Sequence, residues 1–354
     1  MNDDRNILVV GTGLIGTSIA LGLTAQGMKV FLADIDSVAL DNALKVSGAT
    51  RYSDQEVSVV FVATPPANVA KVIATAVVEH PNAVITDVAS VKGSIFRELE
   101  QLGTSGWERI VGGHPMAGRE VSGAIGAQGN LFLDRPWVIA TSDRTSADAI
   151  ETVKSLVESL GAFPVIRSIE EHDRAVALIS HTPQVVASVL AGELMDAEGS
   201  YIELAGQGIR DTIRIAGSDS DLWTEILSEN SQFISQQVTQ VANHLLDFAS
   251  ALEEGNRDSV AAKLVKGNKG RDRLPGKHGS SKQSTAILAV RLDDKPGELA
   301  RLFAVAAQAN VNLEDVRIDH SLGHPTGLVE LTLAPTSVSV LKPALELEGF
   351  VVIS

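Results

Sequence analysis

The sequence predicts an α/β dinucleotide-binding domain, then an all-α domain, then a small βαββαβ unit. Three observations carry that reading. Apolar runs and helical patterns alternate from Arg5 to about Arg167, as in a parallel sheet flanked by helices. Long helical periodicity replaces the alternation between Ser168 and about Val265. From Thr285 the order becomes strand, helix, strand, strand, helix, strand. The expected organisation is therefore 1–167, 168–266, a linker over 267–284, and 285–354.

Ile7-Leu8-Val9-Val10 is a continuous apolar run, as expected of a strand buried on both faces. Gly11-Thr12-Gly13-Leu14-Ile15-Gly16 follows, then a helix over Ser18–Gln26 and a second strand over Lys29–Ala33 that ends at Asp34. Ordinary βα turns also contain such glycines, but this order is the dinucleotide fingerprint in its proper context, a Rossmann domain. Gly11 permits the tight turn, Gly13 lets backbone approach a pyrophosphate, and Gly16 lets helix and strand pack closely. Free N–H groups at the helix start, around Leu14 and Ile15, together with the helix dipole, favour the anion. Asp34 would accept hydrogen bonds from a ribose diol and repel a 2′-phosphate, and no arginine directly follows it; NAD is expected rather than NADP. Thr64 closes the strand Val57–Ala63 on the same side of the sheet and joins the cofactor residues.

A helix over Ala67–His80 and a strand over Ala83–Thr86 lead to Asp87-Val88-Ala89-Ser90-Val91-Lys92-Gly93. Arg109-Ile110-Val111 reads as the end of another strand, and Gly112-Gly113-His114-Pro115-Met116-Ala117-Gly118 as a glycine-rich turn carrying one imidazole. A histidine there is a candidate general base, because its pKa lies nearest to working pH; the plain alternative is a surface turn. Ser90 and His114 both lie just past strand ends, where open α/β sheets bind ligands. On its residues alone Ser90 serves at least as well as the N-cap of the helix that follows. Trp137–Ala140 and Phe163–Ile166 are later strands flanking a helix over Ser146–Leu160.

In the helical region, Ala175, Leu178, Ile179, Val185, Val186, Val189 and Leu190 fall at helical spacing, interrupted by Ser180-His181-Thr182-Pro183-Gln184. Pro183 is expected to kink the helix, and His181 alone reads as an interior histidine. Arg210 and Arg214 are four apart beside Gly206-Gln207-Gly208, on one face if helical, and suit a carboxylate or a solvated basic edge. Asp219 precedes Leu222-Trp223 as a helix start. Ile234, Val238, Val241, Leu245, Phe248 and Leu252 form a narrow apolar seam that suits a core face or a subunit interface.

Composition narrows the classes. Hydrophobic residues are 44% and charged residues 21% of 354, enough for packed cores. The formal net charge of −15 argues against nucleic acid as a partner. Absence of cysteine excludes a disulfide scaffold and a thiolate metal site, and is compatible with the cytoplasm. Neither a membrane span nor a signal peptide is expected. The stretch 267–284, rich in Gly, Lys, Arg and Ser, reads as a connection. In the last unit no cluster of acid, base and nucleophile stands out, so binding or regulation fits it better than chemistry.

With these motifs in hand, the chain resembles the prephenate dehydrogenase family, of the kind that carries a C-terminal ACT domain. The resemblance rests on residues 11–16, 87–92, 112–118, 180–183, 210–216 and 219–223 taken together. It implies NAD-dependent oxidative decarboxylation of prephenate to 4-hydroxyphenylpyruvate in tyrosine biosynthesis, without a metal. In that reading His114 accepts the ring hydroxyl proton and Ser90 orients the hydroxyl. Arg214 holds a substrate carboxylate, Arg210 adds positive potential, and His181 and Trp223 line the substrate pocket, Trp223 from a neighbouring subunit of an intertwined homodimer. Asp294, Pro296, Gly297 and Asn312 match an amino-acid site of ACT domains, which implies tyrosine as effector. Gln184 stands where many members have a second histidine, and Arg119 where others carry smaller residues. The rival readings are an arogenate dehydrogenase, which converts L-arogenate to L-tyrosine, a β-hydroxyacid dehydrogenase with a catalytic lysine, and a non-catalytic amino-acid sensor.

Overall fold

A computed structural model of the chain describes residues 5–118, 123–274, 285–320 and 326–353. Strands β1 (Asn6–Val10), β2 (Lys29–Ala33), β3 (Thr50–Arg51), β4 (Val59–Val62), β5 (Val84–Asp87), β6 (Ile110–Pro115), β7 (Pro136–Thr141) and β8 (Phe163–Ser168) form one sheet in the order β3-β2-β1-β4-β5-β6-β7-β8. Neighbours run parallel except β6 and β7, which are antiparallel. Helices α1 (Leu14–Ala25), α2 (Ser37–Ser47), α3 (Pro66–Glu79), α4 (Gly93–Gln101) and α5 (Ala147–Ser159) connect the strands. Ile7 and Val9 enter one apolar cluster with Ile19 and Leu23, while Leu8 enters the other with Ile73 and Ile95. That two-sided burial is why β1 reads as an unbroken apolar run.

Two local expectations change. Helix α1 starts at Leu14, directly after the glycine turn, and not at Ser18. Its N-cap, Gly13, offers no side-chain cap, so the first N–H groups stay available to an anion. His114 lies inside strand β6, not on a turn. Glycines 112 and 113 serve close packing there: a Cβ on Gly113 would stand 2.3 Å from the Asp87 carbonyl oxygen, and one on Gly112 would stand 2.9 Å from the Lys92 stem.

Beyond the sheet come α6 (Ile169–Val176), a π-helical turn (Ala177–His181), α7 (Thr182–Gly192), α8 (Gly199–Ile202), α9 (Gln207–Ile213), α10 (Ser220–Glu229), α11 (Ser231–Glu253) and α12 (Arg257–Arg271). Ser168 and Glu171 form a reciprocal capping box that starts α6. The expected break at Pro183 takes the form of the π turn just before it, which accommodates the missing N–H without ending the helix. The run Ile169–Met195 is long and apolar enough, by length and composition, to cross a bilayer. Within it His172, Asp173, His181 and Gln184 are buried, whereas Leu178, Ile179 and Val189 are exposed. Helix α12 carries helix to Arg271, so the first residues of the stretch expected as linker are helical. The Asn256 cap and basic residues in the last turn outweigh two interior glycines. Residues 275–284 of that stretch lie outside the described residues.

The chain divides into two compact units, Met1–His244 and Leu245–Ser354. In the second, β9 (Ala286–Asp293), α13 (Glu298–Gln308), β10 (Leu313–His320), β11 (Thr326–Leu333), α14 (Pro335–Leu347) and β12 (Val351–Ile353) follow in βαββαβ order. The strands form an antiparallel sheet ordered β10-β11-β9-β12. Leu288, Val290, Leu331, Leu302 and Leu341 fill its core.

Candidate active site

The glycine turn between β1 and α1 has the geometry a dinucleotide needs. Gly11 has φ +100°, and a Cβ there would stand 2.4 Å from the Ala63 carbonyl oxygen. A Cβ on Gly16 would collide with the Gly11 carbonyl oxygen at 2.0 Å, so this glycine lets the helix rest on the strand. Nothing lies within 4 Å of a Cβ on Gly13, so open space lies beside the start of α1, where Leu14 and Ile15 would meet a pyrophosphate. Asp34 ends β2 and braces the turn, its Oδ2 accepting from the Thr12 N–H at 2.6 Å and the Thr12 hydroxyl at 2.7 Å. The Thr64 hydroxyl is buried and has no hydrogen-bond partner among the described residues. These residues fit a bound NAD.

A buried polar cluster occupies the neighbouring strand ends. His114 Nδ1 lies 2.8 Å from His172 Nε2, and His172 Nδ1 lies 2.8 Å from Asp173 Oδ1. The two rings meet edge to face. Asp173 Oδ1 also accepts from the Lys92 N–H at 2.9 Å, and its Oδ2 from the Gly93 N–H at 2.7 Å. Asp173 therefore caps α4, the role open to Ser90; Ser90 lies half-buried in the connection between β5 and α4. Asp87 and Lys92, both fully buried, form an ion pair beneath the cluster.

Burial sets most of the electrostatics. It drives the His114 pKa well below its ordinary value, helped by the charges of His172, Lys92 and His181. His114 is thus neutral and able to accept a proton at neutral pH. Burial pushes the Asp173 carboxyl up, but the His172 hydrogen bond, the two backbone N–H groups and the His172 charge together hold it below its usual value. Burial raises Asp87 and lowers Lys92, and their mutual attraction opposes both shifts. Mainly through burial, His181 falls to about 4, and it stays neutral.

His181 stands at the end of the π turn with its ring edge toward Trp223, centroids 6.1 Å apart. These two substrate candidates therefore meet within one chain. Asn230 Nδ2 donates to the Asp173 carbonyl oxygen at 2.9 Å and lies 3.2 Å from His181 Nδ1. Since a carbonyl only accepts, the amide nitrogen faces His181, whose Nδ1 accepts and whose Nε2–H remains a donor. Arg210 lies on α9, while Arg214 opens the 3₁₀ turn after it; both are exposed, on elements that pack against α7. Gln184 is buried within α7, its amide 3.4 Å from the Ser188 hydroxyl. Arg119 lies outside the described residues. No metal-binding cluster occurs among the described residues.

Sequence reasoning assigned no role to His172, Asp173 or Asn230. The His-Asp pair at the start of α6 resembles any charged first turn; an apolar helix following directly was the one usable signal. In the second unit, Asp294, Pro296 and Gly297 line a cleft of about 390 Å³ with Ile318 and Val329. Asn312 is exposed, and its amide donates to Glu314 at 2.9 Å.

Residues 19–166 match the family profile described as prephenate dehydrogenase, nucleotide-binding domain, and 168–266 match its dimerization domain. A protein of Streptomyces niveus named "Probable prephenate dehydrogenase NovF" is 34% identical over 94% of each chain. The chain belongs to the prephenate dehydrogenase family. The prephenate dehydrogenase of Bacillus subtilis is 28% identical over 92% of this chain and 91% of its own. Two solved structures of the same architecture align with it. Synechocystis arogenate dehydrogenase does so at 28% identity and TM-score 0.67, over 76% of this chain and 99% of its own. The A. aeolicus prephenate dehydrogenase in complex with hydroxyphenyl propionate and NAD+ does so at 25% and 0.69, over 76% and 98%. The family profile begins at residue 19, so in this chain the glycine turn is judged on its geometry.

Proposed function

We propose that this chain converts prephenate to 4-hydroxyphenylpyruvate and CO2 with reduction of NAD, and that His114 is the proton acceptor. The carrying observation is a neutral, buried imidazole near the carboxyl end of β6, on the same sheet edge as the glycine turn shaped for a dinucleotide after β1. NAD, held by the glycine turn and Asp34, would supply the hydride acceptor for the ring carbon that bears the hydroxyl. His114 takes the hydroxyl proton as that carbon becomes a carbonyl. Loss of the ring carboxyl group as CO2 then makes the ring aromatic, and His114 returns its proton to the phenolate, so no net proton is consumed. Ser90 orients the hydroxyl, and the His181 Nε2–H and Trp223 face the ring. Arg214 pairs with a carboxylate and Arg210 adds positive potential. Positioning and one base are what the protein adds to the cofactor's own chemistry.

The working form is a homodimer built on the helical region. The match to a dimerization domain supports it, as do exposed apolar side chains in the helical region, among them Val189, Met195 and Leu204. The unit from 285 acts as an ACT-like regulatory domain that takes tyrosine in the cleft at Asp294–Gly297. Its βαββαβ order and the left-handed Gly297 before α13 support that reading. The absence of cysteine fits a cytoplasmic enzyme.

The test is NADH formation with prephenate and, in parallel, with L-arogenate, each with and without tyrosine. Turnover of prephenate is the expected result. Turnover of arogenate alone would overturn the substrate assignment while leaving the residue roles in place. NAD binding without turnover of either would overturn the activity.

A further inference from the structure

Two histidine rings meet in the buried cluster, and the groups behind them dictate where the protons sit. Asp173 is the anchor. Each of its oxygens accepts from a backbone donor, Lys92 N–H at Oδ1 and Gly93 N–H at Oδ2, and these bonds favour the ionised carboxylate, which only accepts. His172 Nδ1, 2.8 Å from Oδ1, must therefore be the donor in that contact. A neutral His172 then has a bare Nε2, which can only accept. His114 Nδ1 lies 2.8 Å from it and must carry the proton that is donated there. A neutral imidazole has one N–H, so His114 Nε2 is left with a lone pair.

We infer that Asp173 and His172 are positioning residues that lock His114 in the tautomer whose Nε2 accepts the substrate proton. The inference rests on His114 being the proton acceptor. Without the lock, His114 would divide between two tautomers, one of which presents a hydrogen to the hydroxyl and cannot act as a base. The same chain serves the charged state. When Nε2 takes its proton, the Nδ1–H keeps its bond to His172, and the carboxylate behind His172 offsets the new positive charge without any atom moving. The groups facing His114 from the surrounding elements are His172 and Asp173 of α6, His181 of the π turn, and Lys92 with Asp87 behind it. Capping of α4 by Asp173 supplies rigidity, because a carboxylate held by two backbone donors cannot rotate away from His172.

The experiment has two arms. Neutron diffraction from crystals of the intact protein reads the protons without reference to activity. Deuterium is expected on His114 Nδ1 and His172 Nδ1, with His114 Nε2 bare. Deuterium on His114 Nε2, as a doubly protonated His172 would impose, overturns the proposal. In the kinetic arm, His172→Phe keeps an edge-to-face ring but no acceptor, and kcat is expected to fall at least about 100-fold. The prephenate KM and the NAD affinity should stay within about 3-fold. His172→Gln, which restores an acceptor, should recover part of kcat. A kcat within about 3-fold of the parent in His172→Phe overturns the proposal, as does equal loss in both variants. Full activity in His114→Asn would instead refute the base assignment, and the neutron arm would still report the tautomer.

Discussion

The histidine cluster and the arginine segment belong to the same unit and to one proposed reaction, yet they are built in opposite ways. His114, His172, Asp173 and His181 are all at most 9% exposed and are tied by directional hydrogen bonds. Arg210 and Arg214 stand exposed on a short helix and the turn after it. The difference follows from what each group must supply. A base needs a defined protonation state and tautomer, and these come only from burial and specific partners. A guanidinium is charged at every working pH, so burial would add a desolvation cost and no chemistry. In the proposed reaction the proton-moving group is thus buried, and the groups assigned to a carboxylate lie at the surface.

The sharpest way to break this comparison is His114→Asn. It should lower kcat by about 10²–10⁴-fold with NAD affinity intact, measured by steady-state NADH formation and by cofactor titration. An unchanged kcat would remove the base. Next in size is Arg214→Ala. Loss of one charge-assisted pair should raise KM for prephenate by about 10- to 100-fold with a smaller change in kcat, and an unaltered KM would take Arg214 out of the site. Asp34→Ala, which loses both the ribose acceptor and the brace on Thr12, should weaken NAD about 10-fold and narrow its advantage over NADP, read by titration with each cofactor.

The pH dependence sharpens the buried side. His114 is depressed well below 6.5 and His181 to about 4, so both are neutral in the fold while an unfolded chain protonates near 6.5. Stability is therefore complete above about pH 6.5 and is lost as pH falls from there through the folded values, because the unfolded state binds more protons. A melting series between pH 8 and 4 should show Tm level and then falling, and kcat should stay flat above neutrality. The smallest expected effect is in the other unit. Gly297→Ala strains a backbone at φ +92°, and the tyrosine concentration for half-maximal response should rise a few-fold. An unchanged tyrosine titration would detach the Asp294–Gly297 loop from regulation.

Local signals were legible. The glycine fingerprint, the alternation of apolar runs with helices, the βαββαβ order and the long helix α11 each depend on neighbours within a few residues, and each is present where the sequence led us to expect it. Even the separate reasons for Gly11, Gly13 and Gly16 could be assigned in advance, because a βα turn constrains its own geometry. Signals that depend on distant partners were misread. The glycines around His114 looked like a turn because nothing nearby announces that Asp87, Lys92 and Ala140 press against them. Ser90 looked like a helix cap because the carboxylate that does the capping lies 81 residues from Lys92.

The chain order by itself determined a glycine turn of the dinucleotide kind after the first strand, a histidine at a later strand and two arginines four residues apart. Only the tertiary structure decided which imidazole stands behind that histidine, 58 residues further along the chain, and which carboxylate stands behind both. The physical reason is range. Backbone propensity and apolar periodicity act over one or two turns, whereas a tautomer is set by a hydrogen bond whose two ends the sheet and helix α6 bring together only on folding.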